Sequence, residues 1–217
     1  YLFTNKSKIQ KLFKKINRLK IKLIDESRLD IFLKDLKSKK IILDRLSCSL
    51  AYENILKNKI DISIRNDPIY YMKSIKNNTE IKNFIKSHIF DGVAVVKFLS
   101  WLKGYKKNLT ELESEKKLNY FRMKNKNYLF PSFNTISASG PNGAIIHYRA
   151  NKRSNRIIKK NDLFLCDSGG QYKYGTTDIT RTISLGKQIR MIKNIFTYVL
   201  KGHIAVATAN LKKLKSG

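Results

Sequence analysis

Acidic side chains are scarce in this chain. Sixteen Asp and Glu stand against 45 Lys and Arg, a formal net charge of +29 over 217 residues. No apolar run approaches the roughly 20 residues that a membrane-spanning helix needs, and no signal-peptide pattern opens the sequence. Cysteine is nearly absent. Cys48 and Cys166 lie in separate apolar contexts, which excludes a disulfide framework or a cysteine zinc site. Buried, reduced thiols are the expectation, as suits a cytoplasmic protein. Zinc-finger, RNP and P-loop spacings are all missing. The first residue is Tyr1 and not Met, so the chain is expected to be cut from something longer.

What is present is enough for a core. Hydrophobic residues make up 42% and aromatics 11%, which argues against wholesale disorder. The lysines are spread along the chain among abundant Asn and Ile. That pattern fits coding bias loaded onto solvated faces better than a nucleic-acid interface, which clusters its cations and interleaves them with aromatics.

Residues 1–38 read as basic and helical, with Leu29, Phe32, Leu33 and Leu36 spaced to bury one helix face. Residues 40–44 (KIILD) suit a buried strand and 47–57 a following helix, the alternation of an α/β domain. Asn66-Asp67-Pro68 marks a break, because the residue before proline avoids helical backbone. A long helix is expected over 77–103, capped by Asn78 or Thr79 and stopped at Gly104. Its apolar stripe reads as Ile81, Ile85, Ile89, Val93, Val96, Leu99 and Trp101. A second helix covers 109–126, entered through a Thr110–Glu113 capping box. Strands follow at 132–139, 144–148, 164–172 and 176–185, the last two facing each other across a tight turn. Residues 188–211 return to helix. The order predicts an α+β fold: helices packed on a later antiparallel sheet.

The chemistry concentrates in the last two strands. Asp167 ends an apolar strand, where a solvated acid is not expected. Asp178 lies eleven positions later. Symmetry about the Tyr172–Lys173 peptide sets the two directly opposite, with Cβ atoms about 4.5–5.5 Å apart. A bulge at Gly175 would shift that register by one. Two ionised carboxylates closing on one face repel each other. A pair of divalent cations about 3.5–4 Å apart would neutralise them, and oxygen ligands favour Mn2+, with Zn2+ or Co2+ as alternatives. A bare Asp-x10-Asp pattern is better read as an ordinary hairpin with two solvated acids. The surroundings shift that balance. Gly169 and Gly170 allow close backbone approach, and Gly175 allows an unusual turn conformation. Thr176, Thr177, Thr180 and Thr182 offer hydroxyls behind the carboxylates.

The segment DSGGQYKYGTTDITRT resembles metallopeptidase family M24, the pita-bread enzymes, and in particular its Xaa-Pro aminopeptidase (aminopeptidase P) branch. The likeness extends to SFNTISASGPNGAIIHY at 132–148, IKNNTE at 75–80, DGVAVVKFLSWL at 91–102 and YVLKGHIA at 198–205. The resemblance implies that Asp167 and Asp178 are metal ligands, Asp167 to one ion and Asp178 bridging two. It implies that His147 sits beside the scissile peptide as a catalytic and substrate-binding group. Read without it, a lone histidine in an apolar strand is equally a satisfied core residue. His88 and His203 match no role and read as structural or surface residues.

The implied activity is metal-assisted hydrolysis of the bond between an N-terminal residue and a following proline. Peptides with proline second are then the partners, and homodimerisation is common in that branch. The implied organisation is the end of a non-catalytic, creatinase-like α/β domain over 1–65 and the first portion of the catalytic domain over 66–217. The family's site needs a further histidine and two glutamates after the last helix, which the sequence through Gly217 does not supply. The chain alone is therefore expected to be inactive and to expose an apolar face. Two alternatives stand beside the enzyme: a pita-bread binding protein without catalysis, meeting nucleic acid through its basic surface, and a truncated gene product. Keeping two mutually repelling carboxylates favours the enzyme.

Overall fold

The computed structural model describes residues 1–9, 18–105 and 108–210. They form two compact units, Tyr1–Lys76 and Asn77–Gly217.

In the first unit, β1 (Leu2–Phe3) precedes a single helical turn, α1 (Lys6–Ile9), and pairs in parallel with β2 (Leu23–Ile24). The expectation of helix throughout 1–38 is corrected here for the described residues. Among the described residues helix occupies α1 and α2 (Leu29–Lys34), where Leu29, Phe32 and Leu33 are half-buried as their spacing implied; residues 10–17 of that expectation lie outside the described residues. Next come β3 (Lys40–Leu43), α3 (Leu50–Leu56) and β4 (Asp61–Ile64). The strands pair in parallel, and parallel neighbours need a crossover, here the α3 helix. Ser49 caps α3, its side chain accepting from Ala51 N–H. Asp67 caps α4 (Pro68–Ser74), with Pro68 in the first turn, where a missing N–H costs nothing. Cys48 is half-buried where full burial was expected; Cys166 is buried, and both are free.

The second unit opens with α5 (Asn78–Gly104), closed by a capping box between Asn77 and Glu80. The cap is thus one residue earlier than Asn78. The expected stripe is also corrected. Ile81, Ile85, Ile89, Val93 and Val96 are each 45–65% exposed. The buried face is Ser87, Asp91, Ala94, Val95, Phe98 and Leu102. Helical phase, not bulk, selects that face. It runs through two polar residues that hydropathy alone rejects. Leu99 and Trp101 do pack against the core from half-buried positions. Helix α6 (Glu111–Met123) begins at the expected Thr110–Glu113 capping box. Its side chains Glu111, Ser114, Leu118 and Arg122 turn inward at helical spacing.

After α6 the chain forms β5 (Tyr128–Pro131), β6 (Ile136–Ser139), β7 (Leu163–Ser168), β8 (Gly170–Tyr172), β9 (Gly175–Thr176) and β10 (Ile179–Ser184). They make two three-stranded antiparallel sheets, ordered β10-β7-β6 and β5-β8-β9. The expected pair of continuous strands is therefore one ribbon that changes sheets at Gly169 on one side and Thr177–Asp178 on the other. Gly169 is required there: a Cβ would stand 2.0 Å from the Thr177 carbonyl oxygen and 2.1 Å from Ser132 Oγ. The core joins Val95, Phe98 and Leu102 of α5 and Leu118 of α6 to Phe164 and Cys166 of β7. Helix α7 (Arg190–Ala207) is the last element among the described residues and buries none of its own. The strand expected at 144–148 is absent. A 3-10 turn covers Gly140–Ala144, and Ile145 and Ile146 are exposed.

Candidate metal-binding ribbon and active site

Burial alternates along β7. Phe164, Cys166 and Ser168 are buried and Leu163, Leu165 and Asp167 are half-buried. Since successive side chains point to opposite faces, Asp167 projects away from the core that holds Phe164 and Cys166. The alternation continues on the other arm: Thr177 is buried, Asp178 exposed, Ile179 half-buried and Thr180 exposed.

The register corrects the expected opposition. Asp167 pairs with Thr180, not Asp178. The same offset runs through the turn, with Gln171 opposite Thr176 and Tyr172 opposite Gly175. The ribbon is centred on Lys173–Tyr174, one peptide further along than the symmetry argument placed it, and no bulge intervenes at Gly175. A two-residue connection closes it, the shortest that a hairpin uses. Extending that offset sets Asp178 opposite Gly169 and diagonal to Asp167, a relation worth about 7–8 Å in a regular ladder. The Thr180 hydroxyl donates to Asp167 Oδ1 at 2.7 Å, as the threonine-rich sequence led one to expect. Asp178 makes no hydrogen bond or ion pair with another described residue.

Two carboxylates held off the core on one ribbon, one of them without a partner among the described residues, form a donor set suited to a hard divalent cation. It is partial: among the described residues no three His, Cys, Asp or Glu side chains gather closely enough to hold an ion. His147 therefore does not complete a three-ligand cluster with the aspartates. It is exposed in a loop, with φ +54°, a left-handed conformation that non-glycine residues adopt at a cost. His88 is half-buried, its Nδ1 3.0 Å from the Phe84 carbonyl oxygen, and His203 is exposed on α7.

Two buried carboxylates that sequence reasoning passed over organise these segments. Asp91 is fully buried and pairs with buried Arg122, Nε to Oδ1 at 2.6 Å and Nη2 to Oδ2 at 3.1 Å. Tyr172 Oη donates to Asp91 Oδ1 at 2.9 Å, and Thr177 Oγ1 to Oδ2 at 2.7 Å. Burial, then the neighbouring Asp91 carboxylate, pushes the Tyr172 phenol well above its ordinary range. Burial likewise pushes the Cys166 thiol up to about 11. The second carboxylate is Glu111. It accepts from Ser139 N–H at 2.7 Å, Arg156 N–H at 3.0 Å, Tyr148 Oη at 2.7 Å and Asn142 Nδ2 at 3.0 Å. It thereby ties down the loop between β6 and β7, including the residue after His147. Burial raises the Tyr148 phenol, and Glu111 adds to that. The available signal was helical phase: Asp91 shares a face with Ala94, Val95 and Phe98, and Glu111 and Arg122 share one with Leu118.

Helices packed on one side of a bent antiparallel ribbon, with carboxylates turned off the core, place the second unit in the pita-bread class of α+β folds. Residues 82–215 match metallopeptidase family M24, and the chain belongs to that family. It is 44% identical over 178 residues to a probable Xaa-Pro aminopeptidase P of Laccaria bicolor, covering 81% of this chain and 27% of that protein. It is 45% identical over 141 residues to the Xaa-Pro aminopeptidase ApepP of Drosophila melanogaster, covering 64% and 23%. A solved X-prolyl aminopeptidase from Caenorhabditis elegans, described as a cytosolic enzyme with a di-nuclear active site, is similar at a TM-score of 0.86 and 29% identity. That match covers 92% of this chain and 34% of the other. The chain spans about a quarter of the length of the curated relatives it matches. Among the described residues no helix is long and apolar enough to cross a membrane.

Proposed function

We propose that this chain forms part of a dinuclear Xaa-Pro aminopeptidase, acting in the cytoplasm on peptides with proline second. The single observation that carries this is the bent ribbon bearing Asp167 and Asp178 off the core, in a chain of family M24. Asp167 would hold one metal ion, its carboxylate oriented by the hydrogen bond that the Thr180 hydroxyl donates to Oδ1. Asp178, which has no hydrogen-bond or ion-pair partner among the described residues, would bridge the two ions. Two divalent ions, Mn2+ by preference and Zn2+ or Co2+ otherwise, supply charge neutralisation and an activated water when bound. His147, exposed on the loop that Glu111 anchors, donates a hydrogen bond to the substrate peptide.

The domain plan follows the sequence boundaries. Residues 1–65 end a non-catalytic domain, and 66–217 begin the catalytic one. This chain supplies two of the ligands and does not turn over substrate by itself. Among the described residues no third ligand joins these two, so the complete gene product is the species to assay. Asp178→Asn in that product is expected to abolish metal-dependent release of the residue before proline from an Xaa-Pro peptide. Turnover that survives the substitution unchanged removes the bridging role.

A further inference from the structure

We propose that the buried Asp91–Arg122 pair is a positioning device that aims Asp167 and Asp178 together. It rests on the assignment of those two aspartates as metal ligands. Ser168 follows Asp167 in sequence and Thr177 precedes Asp178. The pair grips both neighbours. Arg122 Nη2 donates to Ser168 Oγ at 3.0 Å, and Thr177 Oγ1 donates to Asp91 Oδ2 at 2.7 Å. Successive residues of an extended chain project to opposite sides. Holding 168 and 177 inward therefore holds 167 and 178 outward.

The grip falls where the sheets themselves let go. Gly169 and residues 177–178 lie between β7 and β8 and between β9 and β10, outside the regular ladders. Thr177 replaces the ladder there. Its hydroxyl oxygen accepts from Gly170 N–H at 2.9 Å, its own N–H donates to Gly170 O at 3.0 Å, and its carbonyl accepts from Ser132 Oγ at 2.9 Å. A single side chain thus carries the link from Asp91 to the backbone of Asp178. Asp91 and Arg122 stand on two packed helices, α5 and α6, which are stiffer supports than loops.

Stability alone does not account for such a pair. A buried ion pair is often no more stabilising than apolar residues of the same volume. Here it is bidentate, and its remaining lone pairs and protons are spent on three points of the ribbon: Tyr172, Thr177 and Ser168. Groups standing behind metal ligands typically contribute about 10–100-fold in metal affinity.

Asp91→Ala would strand the buried Arg122 charge, so Thr177→Val is the sharper change. It keeps shape and removes only the hydroxyl; Thr177→Ser restores it. The complete gene product is titrated with Mn2+ by electron paramagnetic resonance, and amide hydrogen exchange is followed over residues 168–178. The expected result for Thr177→Val is at least tenfold faster exchange in that segment with α5 and α6 still protected. Mn2+ affinity falls about tenfold, and Thr177→Ser recovers both. Unchanged exchange in Thr177→Val overturns the proposal. So does faster exchange with unchanged Mn2+ affinity while Asp178→Asn loses binding, an outcome that leaves the ligand assignment standing. If wild type, Asp167→Asn and Asp178→Asn all titrate alike, the ligand assignment falls and the positioning role with it.

Discussion

Glu111 offers the sharpest test of how the β6–β7 loop is held. Its carboxylate is fully buried and gathers two backbone donors, Ser139 N–H and Arg156 N–H, with two side-chain donors, Tyr148 and Asn142. Glu111→Ala removes the acceptor from all of them. Tyr148 Oη and Asn142 Nδ2 keep the Ser154 carbonyl at 3.0 and 3.2 Å, so the two backbone groups bear most of the loss. A stranded buried donor costs about 1–3 kcal/mol, which sets the expected destabilisation at about 2–6 kcal/mol. That is a large share of the roughly 5–15 kcal/mol that holds a typical domain together. Glu111→Gln keeps one oxygen but points an amide at the remaining donors, so about 1–3 kcal/mol is expected. The chain's single tryptophan, Trp101, packs against the core of the same unit and reports its unfolding separately from the first unit. In urea, with a mid-range slope of about 2 kcal/mol per molar, the midpoint of the Ala variant is expected to fall by roughly 1–3 M, with Gln between it and wild type. An Ala variant whose stability lies within about 0.5 kcal/mol of wild type would refute the reasoning.

The bend makes an equally direct prediction. Gly169→Ala forces a Cβ into the Thr177 carbonyl and Ser132 Oγ, so the ribbon must open and Thr177 must leave Asp91; loss of hydrogen-exchange protection at the Thr177 and Gly170 amides is the readout, and retained protection contradicts the packing described. High pH probes the other side of the network. Burial raises the Tyr172 phenol, and in the same direction Tyr148 and Tyr128. A phenol favoured in its neutral form when folded contributes stability that is fully present below its unfolded value near about 10. That stability is lost as pH rises above it. Trp101 fluorescence is expected to show alkaline unfolding above about pH 10, at a higher midpoint in Tyr172→Phe, which cannot ionise. An unchanged midpoint in that variant would separate Tyr172 from the transition.

Legibility differed between levels. The Thr110–Glu113 cap and the succession of β3 and α3 could be read because their signals are local: a capping side chain and a short apolar run. The buried face of α5 could not. Its apolar residues occupy two faces, and the one that packs carries Asp91, whose buried partner is an arginine 31 positions away. The aspartates were legible as residues but not as a register. Symmetry of spacing between the two aspartates chose the turn peptide one residue early, because Asp167 faces Thr180 and the two-residue turn is Lys173–Tyr174. The 144–148 segment looked like a strand by composition. Its isoleucines are exposed, and the loop is organised from α6 by Glu111, a long-range cause with no local trace.

The most direct measurement is anomalous diffraction at the manganese edge from crystals of the complete gene product grown with Mn2+. The account predicts two adjacent peaks at the ribbon, one beside Asp167 and both touching Asp178, and loss of the bridged pair in Asp178→Asn. Peaks remote from Asp167 and Asp178, or a pair undisturbed by that substitution, would contradict it.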